Sequence, residues 1–229
     1  AKKYADKVCL KEKNRSFSFA ETNSRVNSLA NALISLGLRK GDTISCLLEN
    51  CVEICELYFA CAKVGVVINP INFRLSAQEA LYIADNADSK AFFVHDEFCP
   101  VVDSIRADLR KVKDYIVVGK SAKGYRNYEE LLSASSESEP SITVDPEDIW
   151  ILLYTSGTTG KPKGVLRSHE SYIAFYLINA VDFGFTEGDI SLTIMPLCHV
   201  NSTFFSFTLT YVGGSIYIHP ARNFRAEEV

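Results

Sequence analysis

The sequence predicts an α/β fold of layered βαβ units, with largely parallel sheets and flanking helices. Three observations point to it. Strand-like and helix-like segments alternate along the chain. The strand-like segments are short, continuous apolar runs, as expected when both faces of a parallel sheet are covered. The helix-like segments carry apolar residues at helical spacing between capping and glycine signals. Alternation of this kind implies right-handed crossovers between parallel strands. No segment repeats at a fixed period.

The elements follow in order. Ser16–Phe19 reads as extended, and a helix follows from about Ala20 to Leu36, with Val26, Leu29, Ala30 and Leu33 on one face. Ser18 and Glu21 fit a capping box at its start, and Gly37 fits its end. Gly41-Asp42 turns the chain into a strand over Thr43–Leu48. Asn50 and Glu53 are expected to cap a second helix reaching Lys63, which Gly65 releases into the strand Val66–Asn69. Ser76 and Glu79 cap a third helix, to about Asn86, and strands follow at Ala91–Val94 and Asp114–Val118. Ser133–Val144 is polar and Ser-rich with a proline, and reads as a surface linker. It divides a first βαβ region, 1–132, from a region spanning 145–229. There the expected strands are Ile149–Tyr154, Ser191–Ile194 and Ser215–Ile218, and the expected helices Ser168–Asp182 and Val200–Val212. Arg225–Val229 reads as the opening turn of a further helix. With no methionine at the start, this suggests a piece of a longer protein.

Composition narrows the function. With 47% hydrophobic residues the chain can build a packed core, and a net charge of −4 gives no basic excess for nucleic acid. The longest apolar runs, such as Val64–Ile68 and Ile149–Tyr154, fall far short of the ~20 residues a membrane span needs. The N-terminus lacks the apolar stretch of a signal peptide. The seven cysteines are odd in number and show no C-x-x-C pair, so they read as free, mostly buried thiols in a reducing cytoplasm.

One segment carries chemistry. Tyr154-Thr155-Ser156-Gly157-Thr158-Thr159-Gly160-Lys161-Pro162-Lys163-Gly164 directly follows a predicted strand. It packs four Ser and Thr hydroxyls (Thr155, Ser156, Thr158 and Thr159), three glycines and two lysines into eleven residues. Glycines allow turns at positive φ and close approach to a ligand. Backbone amides can then converge on anionic oxygens, hydroxyls can donate further bonds, and lysine supplies charge. Each feature suits a triphosphate. A Walker loop is excluded, because Gly157 and Gly160 stand only two residues apart and Pro162 follows Lys161. An ordinary flexible loop does not account for so dense a run.

This string resembles the phosphate-binding signature of the adenylate-forming superfamily, which includes acyl-CoA synthetases, luciferases and peptide-synthetase adenylation domains. Three other segments are similar to family motifs in the same order: Leu38-Arg39-Lys40-Gly41-Asp42, the run Lys63 to Asn72, and Met195-Pro196-Leu197-Cys198-His199-Val200. The resemblance runs from Phe17 to the last residues. It implies the front part of the large N-terminal domain of such an enzyme, with the C-terminal domain absent. It implies that Thr155, Ser156, Gly157, Thr158, Thr159 and Gly160 wrap the β- and γ-phosphates of ATP. Lys163 would neutralise phosphate charge, Thr158 would serve a magnesium ion, and His199 would lie at the acyl-adenylate site. The implied activity joins a carboxylic acid to AMP and then to the thiol of coenzyme A. The acid would be a fatty or carnitine-like acid, and a second copy of the chain is a further candidate partner.

Other residues read more plainly. His199 lies between apolar stretches and also fits a core histidine. Cys198 reads as packing, since sequence neighbours usually point apart. His95, His169 and His219 show no partner pattern, and Arg74 reads as a surface residue. Ser156 lacks the G-x-S-x-G frame of a hydrolase elbow. The family's Tyr-Gly-x-Thr-Glu and Thr-Gly-Asp segments and its C-terminal lysine do not occur here, so negligible activity is expected of these 229 residues alone. The alternatives are an adenylation domain that loads a carrier protein and a non-catalytic nucleotide-binding module.

Overall fold

The computed structural model describes residues 1–155 and 161–219. The chain opens with β1 (Val8–Glu12), β2 (Arg15–Ser18) and α1 (Phe19–Ser35). The box at the head of α1 forms as its spacing predicts: the Glu21 amide donates to Ser18 Oγ, and the Ser18 amide to the Glu21 carboxylate. Next come β3 (Thr43–Leu47), α2 (Val52–Val64), β4 (Val67–Pro70), α3 (Ala77–Asn86), β5 (Ser89–His95) and α4 (Cys99–Ile105). They lead to β6 (Asp114–Val118), β7 (Arg126–Asn127), α5 (Tyr128–Ser133), β8 (Ile149–Thr155) and β9 (Lys163–Ser168). The remaining elements are α6 (His169–Asp182), β10 (Ile190–Thr193), α7 (Val200–Val212) and β11 (Ser215–Ile218).

One expectation fails at the head of α2. The N-cap there is Cys51, with no side-chain cap bond. Asn50 instead reaches across to residues 195–197, and Glu53 pairs with Arg15 at 2.5 Å. Tertiary partners have claimed both side chains. The C-terminal signal does hold, since Gly65 adopts φ +69 and its amide donates to the Cys61 carbonyl. The turn before β3 also has a physical cause: Gly41 sits at φ +87, and the Asp42 carboxylate accepts from the Arg39 amide at 2.9 Å.

A seven-stranded sheet has the order β7-β6-β5-β3-β4-β8-β9, and every neighbouring pair is parallel except the β8–β9 hairpin. Its strands alternate between two cores. Ile44, Cys46, Phe93, Ile116 and Ile151 face the larger core with α1, α2 and α5, whereas Leu47, Phe92, Val94 and Val117 face α3 and α4. A four-stranded sheet has the order β10-β11-β1-β2, so strands from opposite ends of the chain lie side by side. Residues 134–148 contain no helix or strand and run along α1, where Asn27 and Asn31 donate to the carbonyls of Glu137, Ser136 and Ser138. Among the described residues no helix is long and apolar enough to cross a membrane.

Candidate active site

Parallel strands present all their carboxyl ends on one edge, where open α/β sheets bind ligands. Here that edge gathers Glu49 and Asn50 after β3, Asn72 after β4, His95 at the end of β5 and Thr155 at the end of β8. Asn72 and Thr155 each lie four residues beyond the paired Ile68 and Ile151, so they leave neighbouring strands at one level. The loops after β3 and β5 lead to helices on opposite faces, α2 and α4, which opens a crevice between them.

The glycine-rich run closes the β8–β9 hairpin. Thr155 stands opposite Lys163, and its Oγ1 donates to the Lys163 carbonyl at 3.5 Å. Lys163 is exposed at the first position of β9. Ser156, Gly157, Thr158, Thr159 and Gly160 lie outside the described residues, as do Arg225–Val229. The base of the run is docked on α3: Tyr154 Oη donates to Asn86 Oδ1 at 2.6 Å and Tyr82 Oη to the Pro162 carbonyl at 3.4 Å. The Lys161 ammonium lies 5.5 Å from the Tyr82 ring centroid. Burial pushes the Tyr154 phenol up to about 12, so it remains a donor at neutral pH. Gly164 does a different job from the one its sequence suggests. It lies within β9 opposite Tyr154, and a Cβ there would come within 2.8 Å of Leu152 Cδ1 and 3.2 Å of Tyr154 Cζ. This glycine clears room for a neighbour.

His199 is the N-cap of α7 and is exposed, so the core-histidine alternative does not fit. Its Nε2 lies 3.3 Å from Asn72 Nδ2. Asn72 Oδ1 accepts from the Arg74 amide at 3.0 Å, which turns the amide nitrogen toward the ring. Asn72 therefore donates, and the pairing assigns the ring proton to Nδ1. The segment before His199 is tied down by Asn50 and by Tyr58, whose Oη donates to the Leu197 carbonyl at 2.8 Å. Tyr58 also accepts from Trp150 Nε1 at 2.8 Å through its own carbonyl, joining β8 to this segment. Cys198 is buried, and desolvation pushes its thiol up to about 12, which suits packing and not nucleophilic attack.

Two other histidines are engaged by neighbouring groups. His169 stacks on Trp150 at 5.5 Å, and His95 Nδ1 accepts from the Glu49 amide at 3.0 Å. Burial lowers the basicity of both. All seven cysteines are free and buried. A largely apolar cleft of about 450 Å³ lies between β10 and α7. Phe183, Phe185, Leu192, Met195 and Phe205 line it, with Asn201 as a polar member. Among the described residues no group of three or more His, Cys, Asp or Glu side chains could hold a metal ion.

The described site thus joins a docked hairpin to an exposed histidine–asparagine pair on one sheet edge. A family of AMP-binding enzymes matches residues 1–229. The chain belongs to the AMP-binding enzyme family. A long-chain-fatty-acid–CoA ligase of Thermus thermophilus is 34% identical over 199 residues, covering 86% of this chain and 36% of that protein. A crotonobetaine/carnitine–CoA ligase of Salmonella agona is 30% identical over 211 residues, covering 89% of this chain and 40% of that protein. The crystal structure of the anthranilate CoA ligase AuaEII in complex with anthranoyl-AMP superimposes with a TM-score of 0.90 at 28% identity, covering 95% of this chain and 43% of that one. The chain therefore spans about two-fifths of the length of these relatives.

Within this AMP-binding chain, the sequence offered Thr155, Lys163 and His199 as candidates but not the side chains that hold them or their neighbours in the structure. Asn72 and Asn50 were legible only as a motif member and a helix cap. Tyr82 and Tyr58 carry no local signal, because their partners lie 80 and 139 residues away.

Proposed function

We propose that the protein activates a carboxylic acid with ATP as an acyl-AMP and then transfers the acyl group to coenzyme A. The carrying observation is the β8–β9 hairpin, whose flanking Thr155 and Lys163 sit beside the Asn72–His199 pair on one carboxyl edge. In this reading the amides and hydroxyls of residues 155–160 receive the β- and γ-phosphates, and Lys163 offsets their charge. Magnesium would accompany the nucleotide, with Thr158 as this chain's contribution.

His199, fixed by Asn72, orients the acid. A carboxylate oxygen attacks the α-phosphorus and pyrophosphate leaves. The sulfur of coenzyme A then attacks the acyl carbon and AMP leaves. Chemistry of this kind depends chiefly on positioning and charge stabilisation, which amides, hydroxyls and a lysine provide. The largely apolar cleft between β10 and α7 supports an acid with an apolar chain, in line with the fatty-acid ligase among the relatives. The seven buried, free thiols suit the reducing cytoplasm.

The test is pyrophosphate release by the full-length gene product with ATP, Mg²⁺ and a panel of carboxylic acids, with and without coenzyme A. Acid-dependent release with a coenzyme A thioester as product is the expected result. Release that needs a carrier protein as acceptor would move the second step to that partner. No release with any acid from the folded protein would overturn the reading.

A further inference from the structure

The segment between β10 and α7 has no ladder of its own. Residues 194–199 belong to no helix or strand, yet they end in His199. Several of their backbone groups are engaged singly by side chains and turns. The Leu197 carbonyl accepts from Tyr58 Oη at 2.8 Å, and the Met195 carbonyl accepts from Ser202 Oγ at 2.6 Å. The His199 amide closes a turn onto the Pro196 carbonyl at 3.0 Å.

Asn50 holds two groups of this segment at once. Its Nδ2 donates to the Met195 carbonyl and its Oδ1 accepts from the Leu197 amide, both at 2.8 Å. A carbonyl and the amide two residues on are the pair that a parallel neighbour would engage in a sheet. The side-chain amide of Asn50 reproduces that pairing. It needs one donor and one acceptor on a single planar head, which asparagine has and aspartate, serine or leucine lacks. Asn50 stands three residues beyond β3, at the centre of the large sheet, and is only 9% exposed. It therefore references the His199 turn to the same sheet edge that carries Asn72 and the hairpin.

We propose that Asn50 is a positioning residue for acid activation, acting through His199; this rests on the reading of His199 as part of the acid-binding site. Nothing in the geometry places Asn50 against a substrate. It fixes the turn, and the turn sets where the imidazole meets Asn72.

The test is a double-mutant cycle in the full-length gene product, reading kcat and KM for the acid and for ATP, with thermal unfolding of each variant. Asn50→Ala is expected to lower kcat/KM for the acid by about 10- to 100-fold, as misplacement of a catalytic group does, while KM for ATP stays put. In a His199→Ala background the same substitution is expected to cost almost nothing further, since coupled residues are non-additive. Asn50→Asp keeps the size and the acceptor but loses the donor, and is expected to behave alike should the alanine variant fold poorly. If the Asn50 costs persist undiminished in the His199→Ala background, or raise KM for ATP equally, Asn50 is merely structural and the proposal falls while the ligase reading stands. An inactive wild type would overturn the ligase reading, and this proposal with it.

Discussion

At the scale of single residues, the site depends on small clearances and on protonation states set by burial. Gly164 lies where a methyl group would press on Leu152 and on Tyr154, and Tyr154 is held in place by Asn86. Gly164→Ala is expected to destabilise the chain by about 1 kcal/mol through overpacking, visible as a lowered thermal midpoint. Burial raises the thiols of Cys46, Cys55 and Cys61, so all three remain protonated at neutral pH. A thiol reagent at pH 8 is expected to leave them unmodified in the native chain and to label them in guanidinium; rapid native labelling would show that the core opens. His199 illustrates what sequence alone left undecided. Its apolar neighbours fit a core position equally well, and only the chain path around Asn50 and Tyr58 brings it to the surface.

Elements whose cause is local were legible in the sequence. The boxes Ser18/Glu21 and Ser76/Glu79 form as spacing predicts, because every partner lies within one turn. Ser18→Ala is expected to cost about 1 kcal/mol, the usual loss for a removed N-cap, measurable by urea unfolding. The hydrogen bonds from Ser18 and Ser76 hold Glu21 and Glu79 below the ordinary glutamate range. Carboxylates with lowered folded values stabilise fully above the unfolded glutamate value of about 4.3. That contribution is lost as pH falls through the lowered folded value. The stability gap between wild type and Glu21→Gln is therefore expected to close on acidification, and a gap constant from pH 7 to pH 2 would count against the box. Elements with remote causes were missed. β1 and β9 are short and partly charged, and each is a strand because of a partner beside it. α4 carries Pro100 in its first turn, a start signal that went unread beside the longer helices. Asn50 was misread because a capping residue and a tertiary clamp use the same side chain.

At the scale of the whole molecule, charges buried between elements hold the layers together. Arg25 on α1 pairs with Glu56 on α2 at 2.5 Å and with Glu129 on α5 at 2.7 Å, and Tyr128 Oη donates to Glu56 at 2.7 Å. Burial pulls the Glu56 carboxyl upward, and Arg25 and Tyr128 oppose that pull. Arg25→Met would leave Glu56 without its cation, and is expected to destabilise the chain by about 3–5 kcal/mol, read from the urea midpoint at pH 7. The double substitution with Glu56→Gln is expected to recover part of that loss. The α/β layering itself was legible, since alternation and apolar runs are properties of the chain. The assignment of strands to two sheets was not, since β1 takes β11 as its parallel neighbour. That pairing has a consequence in time. Leu10 is made early and Ile216 late, and at about 5–20 residues per second a ribosome needs roughly 10–40 s to cover the distance between them. Throughout that interval β1 has β2 on one side and a bare edge on the other. A nascent chain of this protein thus emerges with an open strand edge that waits for β11, made about two hundred residues later, which makes it a client for whatever shields such edges during synthesis.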